Sequence, residues 1–475
     1  MHQRLAALAI FALLALSIGA STVQAGPVED ALNQVIASEN VTLVKNMPEG
    51  GSAISIQFSS DTPHMYLSSL KGIHVYEISD PENPQLVGFE PLPHYQNEAM
   101  SIGERKNGDK FLLVGSTLAA VSTAGDVDAD SRYVIVVEVT DPANPEAVGG
   151  TVTDSRTHTV SCLSTQCDYA YTDGRTQGVI SIVDLRNFHD PKMAGTFTSV
   201  VPQGHDQDVD DAGIMWHVGG QGAVALDVSR PTKPVQLAST NGQAIGGMTE
   251  YNGFILHNSA RPNAKKFKAN SAPSLKNGNV LLATEEDTGE GECGPELGAF
   301  STWHIPYVDA KRYKKGNPQL GPGKGRIAPL DIWYPEDSGV YGAHCSAHYF
   351  DYHESGLVAQ GWYELGTRIM DVRNPRDIKQ VGYFLAPGAT ETWAAYWVPE
   401  RDKKGKVTGK NSNIVYTADL VRGVDILRVD MPGKSAARTS EVEVPFVDGW
   451  NGLNLAPVSA PSREYGLVCR IPLGR

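Results

Sequence analysis

Histidines and carboxylates recur in six short segments spread along the chain. They are His94-Tyr95-Gln96-Asn97-Glu98-Ala99-Met100, Thr157-His158-Thr159-Val160-Ser161, Gly204-His205-Asp206-Gln207-Asp208-Val209-Asp210, Gly246-Gly247-Met248-Thr249-Glu250, Ala343-His344-Cys345-Ser346-Ala347-His348 and Thr390-Glu391-Thr392-Trp393. Imidazole nitrogens and carboxylate oxygens are the donors that a transition metal such as copper or zinc takes. The same groups around one proton form a general acid–base set. His158, His205, Asp206, His344 and His348 are the candidate metal ligands, and Glu98, Glu391 and Trp393 the candidate ligand-binding residues. Their spacing matches no compact metal motif. They make a site only if the fold carries distant segments to one place. Otherwise each is a hydrated polar wall residue.

A repeated phrase supplies such a fold. An apolar strand, an acidic turn with proline, and a second strand ending in Val-Gly appear first as Ile73-His74-Val75-Tyr76-Glu77-Ile78-Ser79-Asp80-Pro81, then Gln85-Leu86-Val87-Gly88. The phrase returns at Val136 to Gly149, Ile182 to Gly195, Ala225 to Val235, Ile369 to Gly382 and, truncated, Val424 to Pro432. Alternating residues mark half-buried strands, Asp caps the turn through backbone amides, and Pro fixes φ. Each copy therefore reads as a β-hairpin, the outer half of a four-stranded sheet.

The matched prolines are 81, 142, 191, 231, 375 and 432. The wide gap after Pro231 calls for a degenerate copy around Thr302-Trp303-His304-Ile305 and Asp331-Ile332-Trp333. That makes seven units with a mean period of about 58 residues, longer than the roughly 40–50 of common propeller repeats. Long loops between 261 and 298 take up the excess, and the acidic run Glu285-Glu286-Asp287 is expected there as a solvated loop. Val41-Thr42-Leu43-Val44-Lys45-Asn46-Met47 reads as the second half of the phrase without its first half, while the last copy lacks its second. An N-terminal strand completing the last sheet would close a ring and remove both edges. The expected fold is all-β: a seven-bladed β-propeller spanning 41–475, in which the segments quoted first lead into the innermost strand of each blade. Donors from different blades then meet near the axis, and one shared ion requires nitrogens within about 4 Å of each other.

The phrases resemble the LVIVD-repeat β-propeller family of exported bacterial proteins, over about residues 41–432. A weaker resemblance is to the selenium-binding-protein and methanethiol-oxidase propellers. That second resemblance implies a copper-dependent site, and no residue is carried over from it.

The remaining sequence bounds the function. The net charge of −14 argues against a nucleic-acid partner. Residues 1–25 read as a signal peptide: Arg4, an apolar run from Leu5 to Ile18, and Val23-Gln24-Ala25 before Gly26. The apolar run is short for a ~30 Å bilayer core, and nothing later is longer, so no integral span is expected after its removal. Residues 26–40 form an N-terminal segment. Export favours disulfides. Cys162 and Cys167 flank a turn and are expected to pair; Cys293 and Cys345 are open to a second bridge, and Cys469 is left over. Two functions follow. One is a secreted or periplasmic binding propeller whose channel mouth or loop face recognises a small molecule or an extracytoplasmic protein. The other is a metal-dependent, copper-type oxidoreductase acting on a small molecule there.

Overall fold

A computed structural model describes residues 35–92, 98–116, 132–173, 178–220, 222–240, 255–286, 293–294, 298–306, 327–335, 344–387, 390–431, 441 and 444. The signal-peptide segment, Gly246–Glu250 and Cys469 lie outside the described residues.

The strands form seven antiparallel sheets of four around one axis. Blade 1 is Ala53–Phe58, His64–Ser69, Gly72–Glu77 and Gln85–Glu90. Blades 2, 3 and 4 have inner strands Ser101–Glu104, Thr159–Cys162 and Gln203–Val209 and outer strands Glu146–Val152, Lys192–Thr198 and Val235–Ser239. Blade 5 is Ile255–Ala260, Val280–Glu286, Phe300–His304 and Ala328–Trp333; the last two are the degenerate copy of the phrase. Blade 6 runs from Phe350–Tyr352 to Lys379–Leu385. Blade 7 takes three strands from 392–429, and its outermost is the N-terminal Val41–Met47, with Val41 opposite Val429 and Met47 opposite Val424. The closure expected from the two half-phrases is therefore present. Ile36–Ala37 adds a short fifth strand to blade 6.

The turn chemistry is as the sequence implies. Asp80 Oδ1 accepts from Glu82 N, Asp141 Oδ1 from Ala143 N, Asp184 Oδ1 from Arg186 N and Asp371 Oδ1 from Arg373 N. The Val-Gly element has a different role from a strand exit. It lies within the outer strand, where one extra residue bulges against the third strand: Val87, Val148, Ala194, Leu237, Leu330, Val381 and Val44 in blades 1 to 7. A β-bulge strengthens local twist, which blades radiating from one axis require. Its presence at Val44 identifies the N-terminal strand as the seventh copy.

The core lies between blades. Trp216, Val218 and Ala223 of blade 4 meet Leu281 and Trp303 of blade 5, and Met47, Tyr416 and Ile426 of blade 7 meet Leu67 and Tyr76 of blade 1. Thr284, Glu285 and Glu286, expected in a solvated loop, instead end the second strand of blade 5 and are buried. Each lies at most 1% exposed, because this strand is the second from the axis and has a blade on either side.

Candidate metal centre

Each inner strand brings its first residues to the axis, and local irregularity decides which of them turns inward. In blade 4, Gly204 pairs with Gly219 and Asp206 with Val218, leaving His205 as the extra residue of a bulge. In blade 5, Leu256 pairs with Glu285 and Ser259 with Ala283, so His257 and Asn258 share one partner position. Ile54 in blade 1 and Trp393 in blade 7 occupy bulges of the same kind. Glu98, His158 and His348 stand just ahead of the inner strands of blades 2, 3 and 6. Their level is set by Glu98 N donating to His158 O at 3.4 Å and His348 N donating to Gly361 O at 3.0 Å. Bulges re-aim side chains beside functional sites. Close backbone approach makes room: a Cβ on Gly115 would meet Thr157 O at 1.9 Å, and one on Gly204 would meet Asp173 Oδ2 at 1.8 Å.

Four imidazoles converge on one carboxylate oxygen. Glu98 Oε2 lies 3.0 Å from His158 Nε2, 3.2 Å from His257 Nε2, 3.3 Å from His205 Nε2 and 3.7 Å from His348 Nε2. His158 Nε2 and His205 Nε2 are 3.0 Å apart, and Glu286 Oε2 is 3.7 Å from His205 Nε2. Glu286 is oriented by Tyr363, whose hydroxyl donates to Oε1 at 2.5 Å. Tyr363 has φ +26° and is buried against the rings of His348 and His344. A bulky residue at positive φ is strained backbone held by its surroundings.

The tautomers follow from the neighbours. His205 Nδ1 lies 3.1 Å from His257 O, and His348 Nδ1 lies 2.7 Å from Trp393 O. A carbonyl only accepts, so both Nδ1 atoms carry a proton and each ring turns its Nε2 toward the axis. Burial holds His257 down to about 3, with the charge of His205 adding to it, and holds His348 well below its ordinary value with His257 adding. Burial alone would raise Glu98, but the charge and hydrogen bonds of His158, with hydrogen bonds from His205 and His257, carry it well below the usual carboxylate range. Imidazole nitrogens and a carboxylate thus face one another across about 3 Å.

Three overlapping donor sets have ligand atoms within 4.8 Å: Glu98, His158 and His205; Glu98, His257 and His348; His205, His257 and Glu286. Donors about 2.0–2.1 Å from a tetrahedral ion are about 3.3 Å apart, which matches the distances to Glu98. Donation of the second ring nitrogen to a backbone carbonyl is the arrangement that orients metal-bound histidines. His348 Nε2 has no hydrogen-bond partner in the protein. These residues fit an ion of the copper or zinc type.

Of the sequence candidates, Glu98, His158, His205 and His348 come together. His344 lies outside the group, with its ring 5.2 Å from Tyr363 and its backbone amide donating to Glu364 Oε2 at 2.8 Å. Asp206 also lies outside it, because His205 occupies the bulge and the next side chain turns away to Asn258 Nδ2 at 3.0 Å. Trp393 flanks the centre, 4.9 Å from the His348 ring, and donates Nε1 to Glu391 Oε1 at 3.2 Å. His257 and Tyr363 complete the site without having been singled out in the sequence, and Glu286, read there as part of a solvated acidic run, joins them. The approach to blade 5 is at Ile255–Ala260, beyond Gly246–Glu250.

A Ser199–His217–Asp173 array has the composition of a hydrolytic triad. Ser199 Oγ is 2.7 Å from His217 Nδ1, and His217 Nε2 contacts Asp173 Oδ2. His217 and Asp173 are fully buried, and Ser199 Oγ also accepts from Val201 N at 3.1 Å. It joins blades 3 and 4 rather than facing a substrate. Two cysteine pairs are bridged, Cys162 with Cys167 and Cys293 with Cys345. The second anchors the segment that leads to His348.

No protein-family model matches the chain, and no curated protein does. Among solved structures, the chain is similar to the β-propeller domain of Cps50 (Swd1) from Myceliophteria thermophila, at 11% identity and TM-score 0.52, over 82% of this chain and 99% of that one. It also matches the C-terminal WD40 domain of Sif2 at 9% identity and TM-score 0.45, over 80% and 82% of the two chains. At such identity the first likeness speaks to architecture alone: the chain is a seven-bladed β-propeller.

Proposed function

We propose that this protein is an exported propeller that holds one transition-metal ion, copper or zinc, at its axis. The observation that carries the reading is the convergence of four imidazole nitrogens on Glu98 Oε2 within 3.0–3.7 Å, with two rings held by backbone carbonyls so that Nε2 faces the axis. Burial disfavours protonation of His257 and His348, which favours a cation as the group that ties these donors together. Export is supported by the signal-like N-terminal segment, the LVIVD-type phrases and the two bridged cysteine pairs. Among the described residues no helix is long and apolar enough to cross a membrane.

The donors favour holding an ion over turning over a substrate. Glu98, His205, His257 and His348 are fully buried, and His158 is 9% exposed. Closed sites of this kind are typical of structural or storage metals, whereas catalytic ions keep a position open. The test is metal content by mass spectrometry, after Cu(II) or Zn(II) loading and desalting of the purified protein. About one ion per chain is expected. Less than a tenth of an equivalent of either metal would overturn the reading.

A further inference from the structure

We propose that the channel holds a second cation, a hard one of the calcium type, in an oxygen cage of Asp206, Asp208, Asn258 and Tyr349. This inference stands apart from the imidazole site and does not rest on it.

The cage arises from the same strands that build the imidazole cluster. Along a strand each residue advances about 3.3 Å. His205 is followed by Asp206 and Asp208, His257 by Asn258, and His348 by Tyr349. Nitrogen donors occupy one level and oxygen donors the next. Tyr349 marks the boundary, its ring 4.6 Å from that of His257.

At the oxygen level the pairing is incomplete. Asn258 Nδ2 is the shared donor to Asp206 Oδ2 at 3.0 Å and Asp208 Oδ2 at 3.4 Å. Asp206 Oδ1, Asn258 Oδ1 and the Tyr349 hydroxyl have no hydrogen-bond partner in the protein, although these residues are only 2%, 5% and 5% exposed. Buried polar atoms are rarely left so. Asp351 stands within charge range of Asp208. Turning the Asn258 amide over moves its carbonyl oxygen between the carboxylates without moving any other atom. Three oxygens, two of them from carboxylates, then adjoin one another. No imidazole or thiolate is among them.

Such a donor set selects a hard divalent ion. Calcium accepts carboxylate, amide and water oxygens in irregular geometry, whereas magnesium demands a near-ideal octahedron and keeps its waters. Two carboxylates balance the charge of one calcium. Asp208 is exposed to the channel, which gives an ion and its remaining waters a way in.

The experiment is calcium binding to the purified full chain, loaded with zinc at the imidazole site or left unloaded. Chelator-washed protein is titrated with CaCl2 by calorimetry, with thermal unfolding read in parallel. One calcium per chain and a rise in Tm are expected, with magnesium at least tenfold weaker. Asp208→Asn should weaken calcium at least tenfold while leaving zinc content unchanged. His158→Gln should do the reverse. The wild-type titration decides the matter even if a variant fails to fold. No heat and no Tm change at 5 mM CaCl2 would overturn the proposal and leave the oxygens held by protons. Full calcium affinity in a folded Asp208→Asn would also overturn it.

Discussion

His257→Ala tests the axial centre most sharply, because the residue belongs to two of the three donor sets and its imidazole is neutral near pH 7. Its Nε2 is one of four nitrogens around Glu98 Oε2, at 3.2 Å. Even residues that merely orient a ligand change metal affinity about 10–100-fold, so loss of a direct donor should cost at least about 100-fold. At metal held at about 100 times the wild-type Kd, binding stabilises the native state by about 2.7 kcal/mol; after a 100-fold loss the same concentration contributes only about 0.4 kcal/mol. Unfolding the roughly 320 described residues carries an entropy of about 0.7 kcal/mol/K. The metal-induced rise in Tm should therefore fall from about 4 °C to about 0.6 °C. Each variant is compared with and without metal, so the cost of the cavity left by the ring cancels. His257→Asn, which fills more of the space, should show the same loss. The assay is calorimetric unfolding with Cu(II) or Zn(II) at fixed free concentration. A full increment of about 4 °C and unchanged metal content in His257→Ala would refute the assignment.

Two further expectations concern the scaffold. Burial pushes Asp351 up to about 7, above its unfolded value, so the native state binds more protons than the unfolded one between about pH 4 and 7. Its contribution to stability is present at low pH and is lost as pH rises through that window. Asp351→Asn should lower stability by a pH-independent amount for the bond lost to Trp397 N or Tyr352 N, and should flatten the fall between pH 4 and 7. Parallel denaturation curves for the two metal-free proteins would contradict this. Loop-closure entropy assigns about 4 kcal/mol to Cys293–Cys345, which closes 52 residues, and about 2 kcal/mol to Cys162–Cys167, which closes 5. The paired serine variant of the first should be the less stable in denaturant and should also bind metal more weakly. Equal stability, or the reverse order, would refute the estimate.

The ring was legible because its signal is redundant. Asp-Pro turns repeat, and the half-phrase at Val41–Met47 complements the truncated one at Val424–Pro432. The site was legible only where segment and register coincide. Glu98, His158 and His205 sit at the expected distance after the preceding outer strand. His257 does not: blade 4 ends at Ser239 and the next strand begins at Ile255, a connection longer than those after blades 1, 2 and 3. Counting residues from the last Val-Gly-like element therefore stops short. His344 and His348 are four apart in one extended segment, and sequence offers no reason to prefer either. The choice is made by His348 N donating to Gly361 O and by the Tyr349–Ala394 bridge to blade 7, both tertiary contacts. Glu286 looked solvated because it sits in an acidic run, and its burial depends on neighbours that are distant in sequence.

The inner bulge explains why a sevenfold scaffold can carry a site that is not sevenfold. Seven blades offer seven inward positions, far more than one ion can use. In blades 2 to 6 they are filled by Glu98, His158, His205, His257 and His348. In blades 1 and 7 the equivalent bulges carry Ile54 and Trp393, which pack with Tyr363 and Leu420 into an apolar cluster. An apolar wall on one side leaves the donors on the other to close around a single point, and it lowers the local polarity that would otherwise solvate an ion's competitors. Tyr363 links the two halves: its ring belongs to the apolar cluster and its hydroxyl reaches Glu286. The strain at its backbone is thus spent where the apolar wall meets the donor arc, fixing the one carboxylate that approaches His205 from the second strand rather than the first.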